Sequence, residues 1–268
     1  MPEGDSVYQL AKRLQFMRGR EVLRTSLRVP SVALESFDGQ RVQRVWPYGK
    51  HLFMQFNGGK VLHTHLKMEG TWSIHRLGEK WRKPGYKARV VLVLSETPVP
   101  IELVGFELGL VDVFRANEYA ERMGYLGPDV LYPDWDSYGK EEAKRRLAVI
   151  PDRPIGSALL DQKNLAGVGN EYRAEICFLA GLHPKTPVAH TDLDKVLDIT
   201  RRIMWANRNS PIRVTTGVKR AGENGYVFGR EGQPCRRCGA PIHKDTLQWG
   251  NDELERLIWW CPNCQLGP

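Results

Sequence analysis

No run of this chain approaches the roughly 20 consecutive apolar residues that a helix needs to cross a bilayer, so a helical membrane protein is not expected. A secretory leader would carry basic residues at its start; this chain has Glu3 and Asp5 there, and an intracellular, unsecreted protein is expected. No internal repeat or low-complexity segment is visible, which sets aside solenoids and solvating tails. Acidic residues are in deficit: 31 Asp and Glu face 39 Lys and Arg, for a formal charge of +8. Such a surface attracts polyanions, nucleic acid among them. Cysteine is scarce as well. Of five, four stand in two pairs near the end of the chain and Cys177 stands alone, a grouping that favours a metal over a disulfide framework.

The 268 residues suffice for about two domains. Val7, Leu10, Ala11, Leu14 and Met17 recur at helical spacing, with Asp5 as the expected N-cap and Gly19 as the stop. Strand-like runs follow at Arg41–Trp46, His51–Phe56, Val61–Leu66 and Lys87–Leu94, and Asn57-Gly58-Gly59 signals a hairpin between two of them. Short strands with tight turns predict an antiparallel sandwich or barrel over roughly residues 20–115. Beyond Gly127-Pro128 the texture turns helical, with candidates at Glu141–Val149, at Ile155–Asp161, and from Asn170 to just before Gly181. Another is the stripe Leu193, Val196, Leu197, Thr200, Ile203, Met204, which reads as core. Thr191 and Asp194 resemble a capping box at its start. Residues 214–231, rich in glycine, read as a mobile loop.

Cys235-x-x-Cys238 and Cys261-x-x-Cys264 are separated by 22 residues. Two such turns present four thiolates to one tetrahedral Zn²⁺ and leave no open position, so one structural zinc ion is expected. His243 is read as a surface residue, since four cysteines fill the shell. Arg236, Arg237 and Arg256 surround this hairpin, either as a solvated basic face or as phosphate contacts. Leu165-Ala166-Gly167-Val168-Gly169-Asn170 lies between two helical patterns. Its glycines permit a tight turn, and the free N–H groups of the following helix suit a phosphate, with Asn170 and Lys163 adding contacts. A ligand-free helix–helix turn reads equally well. The chain begins Met1-Pro2-Glu3. Loss of Met1 is expected, which leaves Pro2 a secondary amine whose proton affinity, near that of an α-amino group, lies well below that of lysine. A neutral amine of this kind attacks an electrophilic carbon and becomes a permanently charged iminium, an electron sink for elimination. Glu3 beside it is placed to move protons.

Taken together, these pieces resemble the formamidopyrimidine-DNA glycosylase/endonuclease VIII family over nearly the whole chain. Pro2-Glu3-Gly4 resembles the start of the endonuclease VIII branch, Leu159–Asn170 the helix–two-turn–helix, and Gly229–Cys235 the lead into the zinc hairpin. The resemblance implies an α+β fold. It comprises an N-terminal antiparallel β-sandwich with an N-terminal helix over 1–125, a linker over 126–140, a helix–two-turn–helix domain over 141–225 and a zinc-binding hairpin over 226–268. It implies a monomer acting on DNA with damaged bases or abasic sites, in the cytoplasm and about the nucleoid. Pro2 would form a Schiff base and Glu3 would donate the proton. Lys50 and Arg256 would serve the β- and δ-eliminations through phosphate contacts. Lys163, Asn170, Arg236 and Arg237 would bind DNA, and Met68 in His65–Gly70 would fill the space of the extruded nucleotide; as a bare sequence feature Met68 reads as core. The 8-oxoguanine branch carries an Asp-x-Arg-x-Phe-Gly turn that residues 105–116 lack, with Phe114-Arg115 a poor substitute, so oxidised pyrimidines are the expected substrates. A purine-lesion enzyme and a non-catalytic DNA-binding module on the same scaffold are the alternatives.

Overall fold

The computed structural model describes residues 2–250 and 255–267. Met1, whose removal the sequence reading requires, lies outside the described residues. Contacts divide the chain into two units: Ser6–Tyr125 together with Pro2, and Glu3–Asp5 together with the chain from Leu126 onward.

Helix α1 (Gly4–Arg13), which belongs to the first unit from Ser6 onward, runs into a 3-10 turn at Leu14–Met17, and Val7, Leu10, Ala11, Leu14 and Met17 are all buried. Gly19, at φ +79°, follows the turn. Eight strands follow: β1 (Val22–Leu27), β2 (Val42–Tyr48), β3 (His51–Phe56), β4 (Lys60–His65), β5 (Thr71–Arg76), β6 (Ala88–Leu94), β7 (Ile101–Phe106) and β8 (Leu110–Arg115). They form two antiparallel four-stranded sheets, ordered β1-β6-β7-β5 and β2-β3-β4-β8. The period of two along each strand sorts the side chains. Leu52, Met54 and Leu62 of one sheet join Val90, Leu92 and Leu103 of the other in a shared core. On the opposite face of the second sheet, Phe53, Val61 and Phe114 are covered by Tyr119 and Met123 of α2 (Tyr119–Met123). Asn57-Gly58-Gly59 does connect β3 to β4, with Gly59 at φ +81°.

In the second unit the helices are α3 (Lys140–Leu147), α4 (Ile155–Ala158), α5 (Asn170–Ala180) and α6 (Leu193–Asn207), followed by the hairpin β9 (His243–Leu247) and β10 (Arg256–Trp260). The 126–140 stretch contributes buried Leu126, Val130, Leu131 and Trp135 to this unit. Three local expectations require correction. Asp5 does not cap α1; it lies inside the first turn, and its carboxylate turns instead to Tyr172 and Arg213. The cap of α6 is Asp192, which accepts from the Lys195 N–H at 3.0 Å; Thr191 instead donates to the Pro187 carbonyl, and Asp194 pairs with Lys144. Residues 214–231 contain neither helix nor strand, yet they are anchored: Glu175, buried in α5, accepts the N–H groups of Tyr226, Val227 and Phe228 at 2.8, 2.8 and 3.0 Å.

Candidate active site and nucleic-acid interface

The second unit holds Glu3 at the start of α5. Glycine supplies the turn geometry, with Gly167 at φ +109°, and the helix that follows leaves its first N–H groups unpaired within the helix. They are not left for a ligand alone. Gly169 N–H donates to Glu3 Oε2 at 2.6 Å and Glu171 N–H to Glu3 Oε1 at 3.0 Å. A carboxylate at a helix N-terminus gains from these charge-assisted bonds and from the helix dipole. Gly4 N–H donates to the Gly167 carbonyl at 2.9 Å, so the segment carrying Glu3 is tied to the same turn. Glu3 is completely buried.

Three residues that the sequence reading did not single out complete this cluster. Arg213 forks onto Asp5, Nη2 to Oδ1 at 2.6 Å and Nε to Oδ2 at 3.0 Å. Its Nη1 donates to Glu171 Oε2 at 2.5 Å and lies 3.6 Å from Glu3 Oε1. The Tyr172 hydroxyl donates to Asp5 Oδ2 at 2.9 Å, and the Arg213 guanidinium sits 4.5 Å from the Tyr172 ring centroid. Burial opposes the Arg213 charge, but Glu3, Asp5 and Glu171 outweigh it and hold the guanidinium ionised. Burial, against the pull of Arg213 and with the repulsion of Glu3, raises Glu171 above the ordinary carboxylate range. Burial and Asp5 raise the Tyr172 phenol, which stays a hydrogen-bond donor.

Arg173, one residue further along α5, is buried too. It donates to Asn170 Oδ1 and, at 2.5 Å, to the Leu257 carbonyl; Asn170 Nδ2 reaches the same carbonyl at 3.2 Å. Arg173 thereby ties the asparagine that ends the glycine turn to β10, directly beside Arg256. Burial, followed by the charge of Arg256, pushes its guanidinium down to about 10. Arg256 and Lys163 are exposed. Arg236 and Arg237 are exposed but engaged: Arg236 donates to the Gly225 carbonyl at 2.9 Å and to that of Gly222, and Arg237 stacks 4.5 Å from the Phe178 ring centroid. A phosphate would meet them already oriented.

The sulfurs of Cys235, Cys238, Cys261 and Cys264 all lie within 4.8 Å of one another and form no disulfide. Four thiolates about 2.3 Å from one tetrahedral ion stand about 3.8 Å apart, and the observed separations of 3.4 Å for Cys238–Cys261 and 3.9 Å for Cys235–Cys264 bracket that figure. The donor set fits one metal ion. His243 is exposed on β9, outside the group. The remaining cysteine, Cys177, is pushed by burial up to about 12 and is no nucleophile.

In the first unit, Lys50 follows Gly49 (φ +55°) in the tight turn between β2 and β3. Met68 is 63% exposed, which excludes the core reading of that residue. Its loop is rigidly built: Lys67 takes φ +52°, its N–H donates to His65 Nδ1 at 2.8 Å, and Gly70 N–H closes onto the Leu66 carbonyl at 2.9 Å. His51, His63 and His65 share one sheet face, on a cavity of about 350 Å³ that Lys67, Asp112 and Arg122 also line. His63 Nε2 and His51 Nδ1 lie 2.8 Å apart, and His63 Nδ1 is buried with no partner. A bare lone pair costs less there than a bare N–H, so His63 is the donor of that bond. Burial, then Lys67 and Lys50, lower His51 to about 4; burial, then His51, lower His63 and His65 each to about 3. All three are neutral at pH 7. Phe114 is 4% exposed within β8, so it is a core residue and no probe of a base.

Comparison with known proteins agrees along the whole chain. Residues 1–113 match the formamidopyrimidine-DNA glycosylase N-terminal domain and residues 126–208 the formamidopyrimidine-DNA glycosylase H2TH domain. The chain is 41% identical over 267 residues to "Endonuclease 8 2" of Mycobacterium tuberculosis, covering 99% of this chain and 100% of that one. It is 40% identical to "DNA-(apurinic or apyrimidinic site) lyase Nei2" of Mycolicibacterium smegmatis, covering 99% of each. Among solved structures, wild-type Lactococcus lactis Fpg (MutM) in complex with N7-benzyl-Fapy-dG-containing DNA superposes with a TM-score of 0.80 at 22% identity, over 99% of this chain and 100% of that one. A likeness at that identity speaks for the fold. With two family models covering most of its length and full-length relatives near 40% identity, the chain belongs to the formamidopyrimidine-DNA glycosylase/endonuclease 8 family.

Proposed function

We propose that this protein is a bifunctional DNA glycosylase and AP lyase of base-excision repair, acting on oxidised pyrimidines. The observation that carries the reading is the buried Glu3 carboxylate, gripped by two N–H groups at the start of α5 and covalently next to Pro2. In the processed chain the Pro2 amine attacks C1′ of the damaged nucleotide. The base departs with its bonding electron pair and takes a proton from water. The Glu3 carboxylate accepts the proton that the Pro2 nitrogen sheds and passes it to the sugar ring oxygen as the C1′–O bond opens, which leaves an iminium linking protein to deoxyribose. That cation acidifies the C2′ and then the C4′ hydrogens; as each proton is lost to water, the 3′ and then the 5′ phosphate leaves, by β- and δ-elimination. Lys50, Asn170, Lys163 and Arg256, with Arg236 and Arg237, bind the phosphates, and Met68 occupies the place of the extruded nucleotide. Cys235, Cys238, Cys261 and Cys264 hold one zinc ion, whose filled shell makes it a fold-stabilising group with no part in bond breaking. The protein acts as a monomer in the cytoplasm, on nucleoid DNA.

The relatives named endonuclease 8 and the absence of an Asp-x-Arg-x-Phe-Gly turn in residues 105–116 both favour pyrimidine lesions. The test is borohydride trapping on duplexes bearing dihydrouracil, thymine glycol or 8-oxoguanine. A covalent adduct and fastest cleavage on the first two are expected. Equal trapping by Pro2→Gly and by an N-terminally extended chain overturns the role of Pro2, and fastest cleavage of 8-oxoguanine overturns the lesion class.

A further inference from the structure

Three carboxylates, those of Glu3, Asp5 and Glu171, meet one guanidinium in the second unit, and the arrangement is built rather than incidental. The backbone at Arg213 is held by two asparagines: Asn224 Nδ2 donates to the Arg213 carbonyl at 2.8 Å, and Asn207, buried at the end of α6, brackets the following Val214 through bonds of 2.8 and 2.9 Å. The side chain keeps only 10% of its exposure. Its fork is saturated by Asp5 and Glu171, and the edge that carries Nη1 faces Glu3 at 3.6 Å.

We propose that Arg213 is a positioning residue for base excision: by holding Asp5 and Glu171 it fixes the start of α5, and by facing Glu3 it sets the proton affinity of the proton donor. The inference rests on the reading of Glu3 as that donor. Every charged or titratable group around Glu3 enters the balance. Asp5 and Glu171 repel its charge; Arg213 and, more weakly, Arg173 attract it; the Tyr172 phenol is neutral; the Pro2 amine lies one residue away. Among the described residues, Arg213 pairs with all three acids, at 2.6 Å for Asp5, 2.5 Å for Glu171 and 3.6 Å for Glu3. Loss of an opposite charge this close to a carboxyl moves its titration up by about one to three pH units. Loss of one like charge moves it down.

The experiment measures single-turnover excision of dihydrouracil as a function of pH, with borohydride trapping on a preformed abasic site as a parallel readout that needs no base departure. In Arg213→Met the limb of the excision profile that reports Glu3 moves to higher pH by about one unit or more. In Arg213→Met/Glu171→Gln, where the cluster regains its original net charge, the limb returns toward the wild-type position. A residue that merely supported the fold would lower the rate without moving the limb, and removing a second partner would not restore it. Should Arg213→Met fail to fold, Glu171→Gln alone moves the same limb to lower pH. An unmoved limb in these variants, with excision abolished in Glu3→Gln, overturns the inference while leaving Glu3 as donor. Undiminished excision in Glu3→Gln overturns the underlying reading, and this inference with it.

Discussion

The N–H of Gly169 donates to Glu3 at 2.6 Å across 166 residues of sequence, and no side chain can stand between them. A Cβ added at Gly169 would lie 2.4 Å from Glu3 Cδ and 2.7 Å from its Oε1. Gly169 has an ordinary φ of −120°, so the demand for glycine there is one of space and not of backbone strain. Gly169→Ala is expected to push the carboxylate aside and lower base excision about a hundredfold, the usual cost of a displaced catalytic group. Circular dichroism should show the helices intact. Excision within threefold of wild type would show that Glu3 has no need of its seat.

Glu175 is the anchor of residues 213–228. Its carboxylate accepts three backbone N–H groups and the Thr215 hydroxyl. Glu175→Ala leaves those donors without a partner in a buried setting, at a cost of about 3–5 kcal/mol. Calorimetry should register a large fall in Tm, and limited proteolysis should cut within 213–231. A variant as resistant to protease as wild type would contradict the anchoring role.

Release of the metal should loosen the end of the chain. Trp259, Ile242, Val227 and Phe178 pack in one cluster with Cys235 and Cys261, so this apolar group depends on the four sulfurs staying together. A strong chelator, or Cys261→Ser, is expected to red-shift tryptophan emission and to remove a stabilisation on the order of 10 kcal/mol from the hairpin. Metal analysis should give one zinc per chain before treatment. An unchanged spectrum after confirmed metal loss would refute the dependence.

Arg256 is exposed at the first position of β10, while its neighbour Leu257 is fixed through Arg173. Arg256→Ala should weaken DNA binding for all sequences alike and reduce the salt slope by about one ion. Fluorescence anisotropy across salt concentrations measures this. A loss confined to one sequence would speak against a phosphate contact.

The histidine trio makes the first unit acid-sensitive. His51, His63 and His65 titrate at about 4, 3 and 3 when folded, below the ordinary 6.5 of the unfolded chain. The unfolded state therefore binds more protons between those limits, and stability falls as pH drops below about 6.5 until the folded values are reached. Tm should fall steadily from pH 6.5 to 4, and His63→Phe, which keeps a ring on that face, should flatten the slope. An equally steep slope in that variant would place the acid sensitivity elsewhere.

Much of this was legible in advance, for identifiable reasons. Strand β3 and helix α5 were bounded correctly because glycine marks their ends: Gly58-Gly59 after one, Gly169 and Gly181 around the other. The four sulfurs converge as their spacing demands. The caps were misread because Asp5 and Thr191 could each satisfy a local rule, and the fold offered each a better partner, a distant arginine for one and the Pro187 carbonyl for the other. Arg213, Glu171 and Arg173 gave no local signal. Charged residues inside a helix or just before a glycine-rich stretch look like solvated surface until a partner 42 to 208 positions away appears, as Glu171 does for Arg213 at a separation of 42, Leu257 for Arg173 at 84 and Asp5 for Arg213 at 208.

Glu3 through Asp5 fold with the chain from Leu126 onward, and the last cation of their cluster is Arg213. During synthesis the amino terminus emerges first, yet its acid has no seat until the glycine turn and then Arg213 have followed it from the ribosome. An unfinished polypeptide, even one whose two sheets have already formed, would carry the proposed nucleophile without a seated acid beside it, so on the proposed mechanism base excision waits until the whole chain has been made.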